Sequence, residues 1–209
     1  MQGNSRKITN TGGKKIIGSF ASQKMGTMIR WESQLERDYI YHIELDPNVI
    51  SYVSQPTGIT YRDCNGKILN YTPDFWVQRS DCEEMVEVKP KEKTIESEFL
   101  EKIKSIQKEL AIKGYKYVIK TEEDILGEPR LSNLKYLYRY ARFEADVVKR
   151  ELCLRYFKEN KNAIIKDIIN DLSDKGIGIE IIFQLIGKGD LVVDMDKKLN
   201  KESCVQMHP

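Results

Sequence analysis

The chain has 209 residues, 40% hydrophobic and 32% charged, with a net charge of +2. That is enough to bury a core in one domain with an appendage or in two small domains. No apolar run is long enough to cross a bilayer, and MQGNSRKITN at the N-terminus lacks the apolar stretch of a secretory signal, so a cytoplasmic location is expected.

Cysteine and histidine usage narrows the chemistry. Cys64, Cys82, Cys153 and Cys204 form no CxxC pair, and the two histidines are His42 and His208. A disulfide framework, a zinc site and most histidine-based catalytic schemes are therefore disfavoured, leaving carboxylates and lysine to carry any reaction.

In chain order, residues 1–31 carry Arg6, Lys7, Lys14, Lys15, Lys24 and Arg30 and no acid, with glycines at 3, 12, 13 and 18. This predicts a flexible basic arm, assigned to residues 1–20, that is either a phosphate-binding element or a solvated tail. Trp31 to Leu45 reads as a helix stopped by Asp46-Pro47-Asn48. Val49–Val53, Ile59–Arg62, Ile68–Gln78 and Met85–Lys89 read as strands, with turns at 64–67 and 79–83, which predicts an antiparallel meander over 52–89. Thr94–Lys113 follows as an amphipathic helix with Ile95, Phe99, Ile103, Ile106 and Leu110 on one face, and Gly114 stands where a C-cap belongs. Tyr115–Lys120 completes a βαβ unit. The expected class is α/β: a restriction-endonuclease-like mixed sheet with flanking helices over residues 21–124.

Beyond Glu128-Pro129 the pattern is mostly helical as far as Gly187. Helices are expected at Glu144–Lys158, Asn162–Leu172 and Ile179–Ile186, then a strand at Leu191–Met195. This order resembles a winged-helix module over 125–197, followed by an unstructured tail, 198–209.

The central chemical signal is Pro73-Asp74, twelve residues, then Glu87-Val88-Lys89. Side chains alternate along a strand, so Glu87 and Lys89 share a face. A hairpin partner brings Asp74 beside Glu87. Two adjacent carboxylates repel unless a cation lies between them. Mg²⁺, with Mn²⁺ as substitute, suits such hard oxygen ligands, and the Val88 carbonyl is a further donor on the same strand. Such a cation activates water and offsets charge on a phosphate, and Lys89 is placed to orient the water or assist its deprotonation. The bland alternative for Glu87 and Lys89 is an ordinary strand with charged residues facing water.

On the predicted first helix, at about 100° per residue, Glu32 and Glu36 fall within the apolar arc of Leu35, Tyr39, Ile40 and Ile43. Gln34, Arg37, Asp38 and Tyr41 point elsewhere. Glu36 is therefore the candidate third acid of the catalytic and metal-binding set Glu36, Asp74, Glu87 and Lys89, with Glu32 as substitute. An ion pair at the edge of the core is the structural alternative.

Five blocks together carry a more specific signal: Trp31-Glu32-Ser33-Gln34-Leu35-Glu36-Arg37-Asp38, Asp46-Pro47-Asn48-Val49, Gln55-Pro56, Tyr71-Thr72-Pro73-Asp74-Phe75, and Val86-Glu87-Val88-Lys89-Pro90. In order and spacing they resemble the TnsA transposon endonucleases. The resemblance covers roughly residues 30–120. It implies a metal-dependent endonuclease that cleaves the 5′ ends of a transposon in double-stranded DNA, alongside a DDE transposase, TnsB, and under an AAA+ regulator, TnsC. It implies Glu36 as the helix acid, Asp74 as the second acid and Lys89 as the lysine. Glu87 stands where some members carry Gln. The C-terminal winged-helix-like part serves partner and DNA contacts in that family. Here Lys149, Arg150, Arg155, Lys158, Lys161 and Lys166 are offset by Glu144, Asp146, Glu151, Glu159 and Asp167, which favours a protein partner over a DNA reader. A restriction or repair nuclease acting alone, and a catalytically inactive DNA-binding or assembly module, are the competing readings.

Overall fold

The structure is a computed structural model that describes residues 16–144 and 146–208. Its chain divides into two units, one made of the residues up to Glu44 with Asn48–Leu126, the other of Leu45–Pro47 with the chain from Gly127 onward.

In the first unit, β1 (Gly18–Ser22) and β2 (Thr27–Trp31) form an antiparallel hairpin where part of a loose arm was expected. Alternate residues Phe20, Ile29 and Trp31 are buried, and that burial orders the strands. Gly18 works by close approach rather than by flexibility: a Cβ there would lie 2.3 Å from the Trp31 ring. Residues 1–15 of the predicted arm lie outside the described residues.

Helix α1 (Gln34–Leu45) starts three residues later than expected, because Trp31 belongs to β2. Ser33 Oγ accepts from the Glu36 N–H (3.1 Å) and donates to Glu36 Oε1 (2.9 Å), while Glu36 Oε2 accepts from the Glu32 N–H (2.8 Å). This is a variant of the capping box, in which a helix start satisfies its own free donors. The buried face carries Glu36, Tyr39, Ile40 and Ile43 as predicted. It also carries Asp38, which the helical wheel turned away; the Arg37 guanidinium at 3.0–3.1 Å compensates its charge.

The main sheet is four-stranded and mixed, in the order β3 (Val49–Ser54), β6 (Phe75–Arg79), β7 (Glu83–Val88), β8 (Lys116–Lys120). The β3–β6 and β6–β7 pairs are antiparallel, and β7–β8 is parallel. The predicted continuous meander is corrected here: β4 (Ile59–Arg62) and β5 (Ile68–Tyr71) form a separate hairpin, and β3 pairs with β6. Gln55 has a φ of 50°, and Pro56 has no N–H to give a ladder, so the chain leaves the sheet after β3. The run Ile68–Gln78 is likewise divided around Pro73 into β5 and β6.

Short α2 (Lys91–Thr94) precedes α3 (Ser97–Ile112), which supplies the βαβ crossover. Phe99, Ile103, Ile106 and Leu110 pack into a cluster with Met85 and Tyr71, each fully buried apolar side chain contributing about 1.5–3 kcal/mol. Ile95, expected on that face, precedes α3 and is 72% exposed. Gly114 ends the helix at a φ of 82°, as its C-cap placement requires. Helix α4 (Glu122–Ile125) closes the unit with a Thr121–Asp124 capping box.

The second unit runs α5 (Arg130–Ala141), α6 (Val147–Glu159), β9 (Asn162–Ile164), α7 (Ile165–Asp171), α8 (Ile179–Gly187), β10 (Leu191–Val193) and β11 (Cys204–Met207). Asp146 caps α6 by accepting from the Val148 and Lys149 N–H groups. Gly187 lets α8 approach α5, where a Cβ would sit 3.0 Å from Ala141. The three strands form an antiparallel sheet in the order β10-β11-β9. Two expectations are corrected here. Asn162–Ile164 is a strand rather than the start of a helix, and the tail expected to be unstructured supplies the central strand of this sheet. Hydrogen bonding on both sides and the burial of Val205 hold β11 in place. Strands of three or four residues show too few alternations to register as periodicity. Among the described residues no helix is long and apolar enough to cross a membrane.

Candidate active site

The β6–β7 register pairs Phe75 with Val86, so Asp74, the residue before β6, comes opposite Glu87. The ladder continues past the strand end: the Asp74 N–H donates to the Val86 carbonyl (3.0 Å), and the Asp74 carbonyl accepts from the Gln55 N–H (2.8 Å). Asp74 Oδ2 accepts from the Val88 N–H at 2.7 Å. Asp74 is thereby tied to β3 and β7 before any substrate arrives.

On β7, Val86 and Val88 are buried, which turns Glu87 and Lys89 to the opposite face, as the alternation predicted. Lys89 Nζ lies 3.4 Å from Glu87 Oε1 and 4.7 Å from the centre of the Phe99 ring. Tyr71 Oη donates to Glu87 Oε2 at 2.6 Å and lies 3.3 Å from Tyr117 Oη. Burial and the Glu87 charge hold the Tyr71 and Tyr117 hydroxyls far above the usual tyrosine range, so Tyr71 remains a donor.

Tyr71, Asp74, Glu87, Val88 and Lys89 line one cavity of about 470 Å³, which also takes in Glu36, Glu32, Gln55 and Lys102. The four predicted catalytic residues Glu36, Asp74, Glu87 and Lys89 are therefore brought together. Burial, then the Glu87 and Glu36 carboxylates, raise Asp74 well above the ordinary value of 3.8, against the opposing pull of the Val88 N–H and Lys89. Glu36 differs from the other acids in that its two oxygens already serve the start of α1. Among the described residues no three His, Cys, Asp or Glu side chains form a group that could hold a metal ion. The acidic donors that face each other across the strands are Asp74 and Glu87.

Tyr71, Lys102 and Gln55 are cavity residues to which the sequence assigns no role. Tyr71 stands in the sequence only as the start of the Tyr71-Thr72-Pro73-Asp74-Phe75 block. Lys102, on α3, rests its ammonium 5.3 Å from the centre of the Tyr71 ring. Gln55 is buried. The local signal at Gln55 was the following proline; for Lys102 it was the spacing of three residues from Phe99, which puts both near one helix face. His42 is not part of the cavity, and its Nε2 meets the Ile125 carbonyl at 2.9 Å.

A mixed sheet flanked by helices, with Asp and Glu-x-Lys on adjoining strands facing one polar cavity, is consistent with a restriction-endonuclease-like nuclease domain. Residues 46–122 match the family model of the TnsA-like endonuclease N terminal, so this segment is similar to TnsA-type endonuclease domains. The match spans Gln55, Asp74, Glu87, Lys89 and Lys102 and begins after Glu36. No curated protein matches the chain.

Proposed function

We propose that this protein is the metal-dependent DNA endonuclease subunit of a cut-and-paste transposase. In this reading it cleaves the 5′ ends of the element in double-stranded DNA, beside a DDE transposase of the TnsB kind and under an ATPase regulator of the TnsC kind. The observation that carries the reading is the meeting of Asp74, Glu87 and Lys89 in one cavity within the segment that matches the TnsA-like model.

The donor set fits a hard divalent cation. Asp74, Glu87 and the Val88 carbonyl would hold Mg²⁺, with Glu36 lining the same cavity. The raised affinity of Asp74 for a proton comes first from burial and then from the Glu87 and Glu36 charges, a repulsion that a cation would relieve. When bound, such an ion supplies Lewis acidity toward a phosphate and lowers the pKa of water. The protein's own groups prepare the rest. Tyr71 fixes one oxygen of Glu87, the Val88 N–H fixes one oxygen of Asp74, and the Phe99 ring supports the Lys89 ammonium. Lys89 is placed to orient a water and to offset charge developing on the phosphate.

An inactive module would have its acids locked to fixed cations. Glu87 meets Lys89, but Asp74 makes no ion pair among the described residues, which supports activity.

The order α6-β9-α7-α8-β10-β11 supports a winged-helix reading of the second unit. Helix α8 stands second in the helix–turn–helix, where a DNA-reading helix would lie. It carries no Lys or Arg, and Ile182–Gly187 are buried. Several cations elsewhere in the unit are paired: Arg150 with Asp190, Arg155 with Glu151, Lys166 with Glu202. A protein partner suits this surface better than a DNA groove.

Strand cleavage assayed on transposon-end DNA, with and without a DDE transposase and with Mg²⁺ or EDTA, tests the proposal. Metal-dependent 5′-end cleavage that requires the transposase and is lost in Asp74→Ala is the expected result. Undiminished scission by Asp74→Ala would sink the site, and specific cutting without a transposase would favour a nuclease that acts alone.

A further inference from the structure

We propose that Gln55 is a neutral oxygen ligand for the divalent cation of the Asp74–Glu87 centre, an inference that rests on the nuclease reading above. Three observations converge on this side chain. Gln55 is 4% exposed, and its Oε1 is buried with no hydrogen-bond partner among the described residues. Burying an amide carbonyl without a partner is unfavourable, so an orphan of this kind calls for a ligand. The residue adopts a φ of 50°, in the left-handed region that favours glycine, and such outliers cluster where a site needs a side chain in one place. It lines the same cavity as Asp74 and Glu87, and its backbone N–H is bonded to the Asp74 carbonyl at 2.8 Å. The position is therefore coupled to the metal-facing strand.

Charge explains why an amide suits the place. The cavity already contains the carboxylates of Glu32, Glu36, Asp74 and Glu87, and it must admit a phosphodiester. A further acid would add repulsion toward the substrate. An amide carbonyl supplies a hard oxygen without charge, a common donor to cations of the Mg²⁺ and Ca²⁺ class. Among the described residues no three acidic, His or Cys side chains group to hold an ion, so an oxygen of another kind is suited to complete the protein ligands at this centre. The Gln55 carbonyl is one.

The test is Mn²⁺ binding to the full chain without DNA, by titration calorimetry or by the loss of the free-ion electron paramagnetic signal. Wild type, Gln55→Leu, Gln55→Asn and Asp74→Ala are compared, with thermal unfolding recorded for each. Gln55→Leu is expected to weaken Mn²⁺ binding about tenfold without lowering the melting temperature, because an unpaired buried carbonyl has been removed. Gln55→Asn tolerates the positive φ and retracts the carbonyl by one methylene. It should also weaken binding, which keeps the test decisive if the leucine variant does not fold. Mn²⁺ affinity equal to wild type in a folded Gln55 variant, with Asp74→Ala impaired, overturns the role of Gln55 alone. Failure of wild type itself to bind Mn²⁺ overturns the metal-centre reading and this inference with it.

Discussion

Asp74 combines two roles that pull against each other. Its Oδ2 is bonded to the Val88 N–H, which favours the carboxylate, while burial and the charges of Glu87 and Glu36 disfavour it more strongly. An acid whose folded-state pKa lies above its unfolded value keeps its proton longer in the folded chain. Stability therefore falls as pH rises through the interval between the two values, and the penalty is complete above it. Asp74→Asn removes that penalty and keeps an acceptor for the Val88 N–H. In metal-free buffer at neutral pH the variant should melt higher than wild type, by roughly 2–4 °C for each kcal/mol relieved. The difference should close as the pH drops below the ordinary carboxylate value of 3.8, and cleavage should be lost at every pH. A lower melting temperature in neutral, metal-free buffer would show that the charge on Asp74 stabilises the fold.

The first hairpin is anchored by an acid whose role was not foreseen. Glu44, buried near the end of α1, accepts from Ser22 Oγ and Tyr52 Oη, both at 2.7 Å, and from the Gln23 and Lys24 N–H groups at 2.7 and 3.1 Å. Lys24 Nζ in turn donates to the Ile43 and Val49 carbonyls, at 2.9 and 2.8 Å, serving as a cap for the helix end. Lys24, one of the cations of the acid-free stretch 1–31, is thus a structural cation. The β1–β2 turn, α1 and β3 are joined at this one carboxylate. Glu44→Ala strands four donors in and around the core and should cost about 3 kcal/mol, at the upper end for point substitutions. The midpoint of urea unfolding measures it. A shift below about 0.5 kcal/mol would mean that water replaces the carboxylate at no cost.

For the whole molecule, the net charge of +2 conceals an uneven distribution. Arg6, Lys7, Lys14 and Lys15 lie within the first fifteen residues, which contain no acid. In the second unit several cations are neutralised by neighbours, Arg130 by Asp196 and Lys197 by Asp194 among them. On the proposed nuclease reading, the uncompensated cations of residues 1–15 are the segment expected to attract DNA. Deleting residues 1–15 should weaken binding to duplex DNA and reduce the slope of log affinity against log salt by up to about 3 to 4, since each phosphate contact contributes about 0.9. Fluorescence anisotropy over a salt series measures this slope. An unchanged value would show that these four cations touch no phosphate.

What the sequence determined by itself were the features that depend on near neighbours along the chain. The apolar face of α3, its glycine stop, the alternation that puts Glu87 and Lys89 on one side of β7, and the parallel βαβ return all follow from local periodicity. Asp74, Glu87 and Lys89 were legible for the same reason, with one hairpin sufficient to bring them together. Tertiary structure decided everything that depends on a partner distant in sequence. It placed β6 beside β3, made Cys204–Met207 the centre of a sheet, and joined Ser22 and Tyr52 at Glu44. It also left the Gln55 carbonyl buried and unmatched beside Asp74. Strand pairing and the desolvation of a polar group depend on which surfaces meet in space, and local periodicity does not specify that choice.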